Sequence, residues 1–150
     1  MQRRHFMAAA GAGMAGALTS STFGAQAESK PHSSGKQAMR ECADECYDCA
    51  EECDACANHC LELVIKGKQD HKKTLQSCVD CADICRAAGA ASARSGPHAA
   101  LICKACADVC EACATACEKH SDDEMMVECA KACRECAKEC KQMVAHAAHA

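Results

Sequence analysis

Eighteen cysteines dominate the chemistry open to this chain, and their spacing dictates where the sulfur atoms point. They fall in four blocks: Cys42, Cys46, Cys49, Cys53, Cys56 and Cys60; Cys78, Cys81 and Cys85; Cys103, Cys106, Cys110, Cys113 and Cys117; and Cys129, Cys133, Cys136 and Cys140. Within each block every step is 3 or 4, and the two alternate. On a helix such steps return to one face, the seam that looks into a bundle interior. Thiols therefore stand where Leu and Ile usually pack.

A buried cysteine serves as a small apolar residue, as half of a disulfide or as a metal ligand. The first role leaves 18 oxidisable groups without a purpose. An even count favours the second, but neighbours three or four apart on one helix direct their Cβ vectors poorly for bridging and close tiny loops. Cross-helix disulfides stay open at this point. The third role fits the pattern best, because thiolate is a soft ligand that selects copper(I), zinc or iron-sulfur clusters.

Charge separates these metals. Fully ionised, the 18 thiolates carry −18, and the seams place no Lys or Arg between them. The metal itself must neutralise a dry interior. Zinc in four-cysteine sites brings at most about four ions and ~+8, leaving about ten charges unmatched. Copper(I) at about one ion per cysteine balances them, and it accepts two or three sulfurs, so a pair at i and i+3 or i+4 can grip one ion. Iron-sulfur clusters want a roomy cavity and irregular spacings. The expected function is storage or buffering of many copper(I) ions. The alternatives are a zinc-binding, metallothionein-like buffer and a copper detoxification or chaperone protein. No open metal position with a placed acid or base is legible, so the chain is not expected to be an enzyme.

The elements that must position these thiols are four helices. The unit Cys-x-x-Cys-Ala-x-x-Cys recurs from Cys53, Cys78, Cys103 and Cys133. Alanines follow alternate cysteines, at Ala43, Ala50, Ala57, Ala82, Ala107, Ala114, Ala130 and Ala137, which lets helices approach closely. The remaining positions are rich in Glu, Asp, Lys and Arg. The sequence predicts helices at about 35–66, 71–94, 97–119 and 122–147. Capping boxes at Ser34-Gly35-Lys36-Gln37 and Ser121-Asp122-Asp123-Glu124 open the first and fourth. Gly67 stops the first, Asp70 caps the second and Pro97 opens the third. Short links make neighbours antiparallel, so the expected fold is an all-α, up-down-up-down four-helix bundle with a cysteine-lined core.

Residues 1–27 read as an address. Arg3-Arg4-His5-Phe6, a short Ala/Gly/Met/Leu stretch and Ala25-Gln26-Ala27 make an export signal, twin-arginine in type, with an ordinary secretory signal as the alternative. The apolar stretch is too short to span a membrane. Cleavage after Ala27 leaves a metal-storage domain at 28–150, with 28–33 a loose tail and no membrane association once the signal is gone. Removing Arg3 and Arg4 makes the net charge more negative than the −4 of the full chain. Without a basic face, nucleic acid is not expected as a partner. The mature part keeps no Phe or Trp and only Tyr47, so thiols and Ala must fill its core. Export of a protein already folded buries the thiols before an oxidising compartment, the periplasm, can link them.

Continuing the seams places Met39, Met143 and His146 at one bundle end and His71, His120 and Met125 at the other, where thioether and imidazole can receive or release copper. His32 and His149 lie near the chain ends and read as solvated.

The four cysteine blocks and the Arg3-Arg4-His5-Phe6 signal together resemble the bacterial copper storage proteins, in their exported branch. The resemblance covers about Met39 to Met143. It implies that the 18 cysteines are the ligands, that copper(I) is held inside the bundle, and that bundles associate as homo-oligomers, in tetramers. A copper-receiving enzyme or chaperone is the implied partner. So full a set of cysteines resembles the cytosolic branch more than the exported one.

Overall fold

The computed structural model describes residues 35–148. The expected export signal, the expected tail with His32, Ser34 of the first capping box and His149 lie outside them. The elements are α1 (Gly35–Ile65), α2 (Lys72–Ala93), α3 (Ala99–Cys117) and α4 (Glu124–Ala147), with 3-10 turns at Gln69–His71 and Glu118–His120. Helix α1 packs on α2 and α4, and α3 packs on the same two; across the diagonals the sulfurs meet, as Cys42 with Cys103 and Cys81 with Cys133. Cys42 near the start of α1 meets Cys140 near the end of α4, and Cys56 late in α1 meets Cys78 early in α2. Neighbours therefore run antiparallel, the up-down-up-down bundle expected. No helix among the described residues is long and apolar enough to cross a membrane.

The helix ends follow local chemistry, with three departures from expectation. Helix α1 stops in a Schellman motif: Lys68 N–H donates to Leu63 O, Gly67 N–H to Val64 O, and Gly67 has φ of 95°. Helix α2 ends in the same motif, with Gly96 N–H on Ala91 O and Ser95 N–H on Ser92 O. There the left-handed position belongs to Ser95, at φ 50°. That turn consumes Gly96 and carries the chain past Pro97, so α3 begins at Ala99 with His98 at its N-cap rather than at Pro97. Asp70 lies inside the 3-10 turn and does not cap α2. At α4 the cap is Asp123, whose Oδ1 accepts from Met125 N–H at 3.1 Å, so the helix starts at Glu124 instead of 122.

The core is built of thiols and methyl groups. All eight alanines named above are buried, and among the described residues the only large apolar side chains fully inside are Met126 and Met143. Gly89 permits a close approach of α2 to α1, since a Cβ there would lie 3.1 Å from the Tyr47 ring and 3.2 Å from the Ala43 carbonyl oxygen on α1. On the outside, Arg134 of α4 joins Glu111 and Glu118, and Lys141 reaches Glu111 at 2.6 Å, pairing α4 with α3; Arg86 of α2 joins Asp54 of α1. Exposed pairs of this kind add about 0–1 kcal/mol each. They align the helices more than they stabilise them.

Candidate metal centre

Every one of the 18 cysteines is completely buried and carries a free thiol. The seam geometry explains this: each alternating 3/4 step keeps a sulfur on the inner face, while the charged positions between turn outward. The sulfurs crowd along the axis. Cys85 lies 3.4 Å from Cys110 and 3.5 Å from Cys106, Cys53 lies 3.6 Å from Cys133, and Cys46 lies 3.6 Å from Cys140. Contacts within one helix are longer, such as Cys106–Cys110 at 3.8 Å and Cys81–Cys85 at 4.0 Å. The expected same-helix pairs are present, and the shortest separations cross between helices.

Sulfurs also converge in fours, with all members within 4.8 Å of one another. Such quartets include Cys46, Cys106, Cys136 and Cys140; Cys49, Cys53, Cys81 and Cys133; Cys49, Cys85, Cys110 and Cys136; Cys53, Cys113, Cys129 and Cys133; and Cys56, Cys78, Cys117 and Cys129. Four-sulfur sites of the kind zinc uses are therefore available, because four helices bring four sulfurs together. What distinguishes the array is sharing. Cys49, Cys53, Cys129, Cys133 and Cys136 each belong to two quartets. A sulfur serving two sites must bridge two metals, which suits a chain of low-coordinate soft ions better than isolated tetrahedra.

The thiols interact as one system. Cys49 is held below the ordinary thiol value by its hydrogen bonding with Cys110, and then with Cys133. Cys133 is held above it by its hydrogen bonds to Cys113 and Cys129. Cys106 goes down and Cys110 goes up in the same way. Cys60 is pushed up to about 12, first by its hydrogen bond to Cys56, against a lowering by Cys78, and then by burial. A thiolate in this core survives only beside thiols that keep their protons, so full ionisation awaits a cation.

The two ends differ. At the end formed by the starts of α1 and α3, Met143 is buried, Met39 packs half-buried against the core and His146 is exposed. Ser92 was not anticipated: its hydroxyl lies 3.2 Å from Cys103 Sγ and 3.7 Å from Cys42 Sγ. The steps 85, 88, 92 continue the α2 alternation and carry that signal.

At the opposite end His71 and His120 stack, with ring centroids 3.9 Å apart and planes 18° off parallel. Thr74 Oγ1 lies 3.2 Å from His120 Nε2, and Asp70 Oδ2 lies 4.0 Å from a nitrogen of each ring. His71 Nδ1 is buried without a hydrogen-bond partner. Met125 does not join them in the interior; it lines a surface cleft beside His59 and Asp123. Met126 takes the inner place, fully buried with its sulfur 3.5 Å from Cys56 Sγ and 4.0 Å from Cys60 Sγ. Strict alternation from Cys129 steps back by three to 126, a signal that the choice of Met125 overlooked. His59 Nε2 sits 2.7 Å from Asp123 Oδ2. Burial pushes Asp123 up, but the His59 contact and the Met126 and Met125 amides outweigh it and hold the carboxyl below its ordinary value.

A helical bundle whose interior is a continuous array of thiols is a metal-binding protein in which the cargo occupies the core. The chain belongs to the copper storage protein family, whose pattern matches residues 35–145. It is similar to a cytosolic copper storage protein from Streptomyces lividans with five coppers, at 34% identity and TM-score 0.68, over 74% of this chain and 95% of that one. It also resembles the copper storage protein of the same organism loaded with 10 copper equivalents, at 35% identity and TM-score 0.67, over 73% and 85%. A Cu(I)-bound copper storage protein, BsCsp3, shares 38% identity at TM-score 0.67, over 72% and 99%. No curated protein sequence matches.

Proposed function

We propose that this chain stores copper(I) inside its bundle, with all 18 cysteines as ligands and about one ion per cysteine at saturation. The sharing of Cys133 and its neighbours between quartets is the observation that carries this reading, because about one copper(I) per cysteine, each ion gripped by two or three sulfurs, requires thiolates that bridge. The role is sequestration rather than turnover. Copper passes between sulfurs by ligand exchange, and the stacked His71 and His120, with one imidazole nitrogen lacking a partner, favour that end as the mouth.

A zinc buffer is the second reading, favoured by the convergence of sulfurs in fours. Filling the quartets that start at Cys46, Cys56 and at Cys49 with Cys53 leaves Cys42, Cys60, Cys85, Cys103, Cys110 and Cys113 outside those sites. Titration of reduced protein with each metal tests both readings. Storage requires saturation near 18 copper(I) ions, one per cysteine. A stop near about four zinc ions with poor copper uptake supports the buffer.

Reading residues 1–27 as a twin-arginine signal supports storage beyond the cytoplasmic membrane, with residues 28–150 as the mature domain. Intact mass of protein recovered from the periplasm, starting at Glu28, is the test. The bundle is expected to act as a homo-oligomer, a tetramer by family resemblance, and to give its copper to an enzyme or chaperone; solution mass of the exported protein tests the first point.

A further inference from the structure

We propose that Met126, Cys56 and Cys60 form a mixed thioether-thiolate site for one copper(I) ion, where the thiolate ladder ends and exchange with solution begins. The inference rests on the copper-storage reading and adds a ligand outside the cysteine set. Two thiols of α1 aim at one atom of α4: both donate to Met126 Sδ, from Cys56 at 3.5 Å and from Cys60 at 4.0 Å. Met126 occupies the inner position of α4 that precedes Cys129 on the alternating seam, and it is fully buried. A side chain that merely filled space would not need sulfur to sulfur contact on this scale. Met143 shows the contrast: it is equally buried on the same helix, yet among the described residues no cysteine thiol donates to it.

Soft donors converging from α1 and α4 fit copper(I), which accepts three sulfur ligands. Binding displaces the Cys56 and Cys60 protons to solvent, leaves copper in the +1 state and makes two thiolate bonds and one thioether bond. The thioether is neutral, so the site keeps one net negative charge where three thiolates would keep two, and burial costs less. It is also the weaker ligand. Cys56 belongs in addition to the quartet with Cys78, Cys117 and Cys129, so an ion can leave Met126 for those sulfurs without ever losing Cys56. That makes the site the first step inward from the His71–His120 end and the last step outward.

Selenomethionine-substituted protein, loaded anaerobically with copper(I) and read by X-ray absorption at the selenium edge, tests the assignment. Expected is a copper neighbour at bonding distance on about one selenium per chain, retained in Met143→Leu and lost in Met126→Leu. Against a competing copper(I) chelator, Met126→Leu is expected to hold about one ion per chain fewer than the parent. A loaded core with no copper beside selenium, or a copper neighbour that persists in Met126→Leu, overturns the site while leaving storage intact. Failure of the parent protein to take up copper(I) overturns storage and this site together.

Discussion

His71 and His120 lie face to face, 3.9 Å between ring centroids, with the His71 ring almost wholly shielded from water. Burial, then the neighbouring His120, hold His71 below the ordinary value of 6.5, against the opposing pull of Asp70 and Asp123 and with a small further push from Lys68.

That relationship fixes the sign of a pH effect. A histidine with a depressed value binds its proton better in the unfolded chain, so stability rises with pH through the window just below 6.5. The stability that depends on neutral His71 is therefore complete above 6.5 and is lost as the pH falls below it. Thermal melts of reduced, copper-free protein at pH 7.5 and 5.5 are expected to show a larger acid loss for the parent than for His71→Asn. Equal losses would remove His71 as the cause.

Copper loading is expected to release protons. Thiols held above their ordinary value, Cys60 near 12 and Cys133 among them, keep their protons at neutral pH and must lose them as Cu–S bonds form, whereas thiols held low, such as Cys49 and Cys106, release less. A pH-stat titration of unbuffered protein should record proton release on copper(I) filling, at less than one proton per ion. By the same linkage, copper affinity weakens as pH falls. Uptake without proton release would mean that the thiols were ionised beforehand.

Shared and unshared ligands should differ when removed. Cys133 serves two quartets, whereas Cys60 stands at the end of its seam, beside Met126, Cys56 and Cys78. Cys133→Ser is expected to lower copper capacity by about two ions and Cys60→Ser by about one, since a bridging thiolate holds two metals. Copper(I) titration with analysis of bound metal measures both. Identical losses would argue that sulfurs act singly.

Gly89 sets the distance between α1 and α2. Replacing glycine inside a helix ordinarily adds about 0.5–1 kcal/mol, but here a new Cβ meets the Tyr47 ring at 3.1 Å and the Ala43 carbonyl oxygen at 3.2 Å. The ring is half in solvent and can swing away; the backbone oxygen cannot. Overpacking by a branched side chain costs about 1–3 kcal/mol, so Gly89→Val should lower the melting temperature of the copper-free bundle by several degrees. An unchanged melt would show that the two helices separate freely.

The alternating steps alone determined that four helices form, that their inner faces carry the 18 thiols and that alanines flank them, because a period of 3.6 leaves a 3/4 pattern no other way to align. The same arithmetic reached His71, His120 and Met143, and applied strictly it also reaches Ser92 and Met126. What a one-dimensional pattern lacks is the axial register of one helix against another. Only the packed bundle decided that the shortest sulfur contacts run across helices, that Cys133 belongs to two quartets and that Met126 faces Cys56 and Cys60. Local backbone hydrogen bonding settled the remaining details: the left-handed turn at Ser95 moved the start of α3 to Ala99, and the Asp123 carboxylate, reached by the Met125 amide, took the cap that Ser121 was expected to hold.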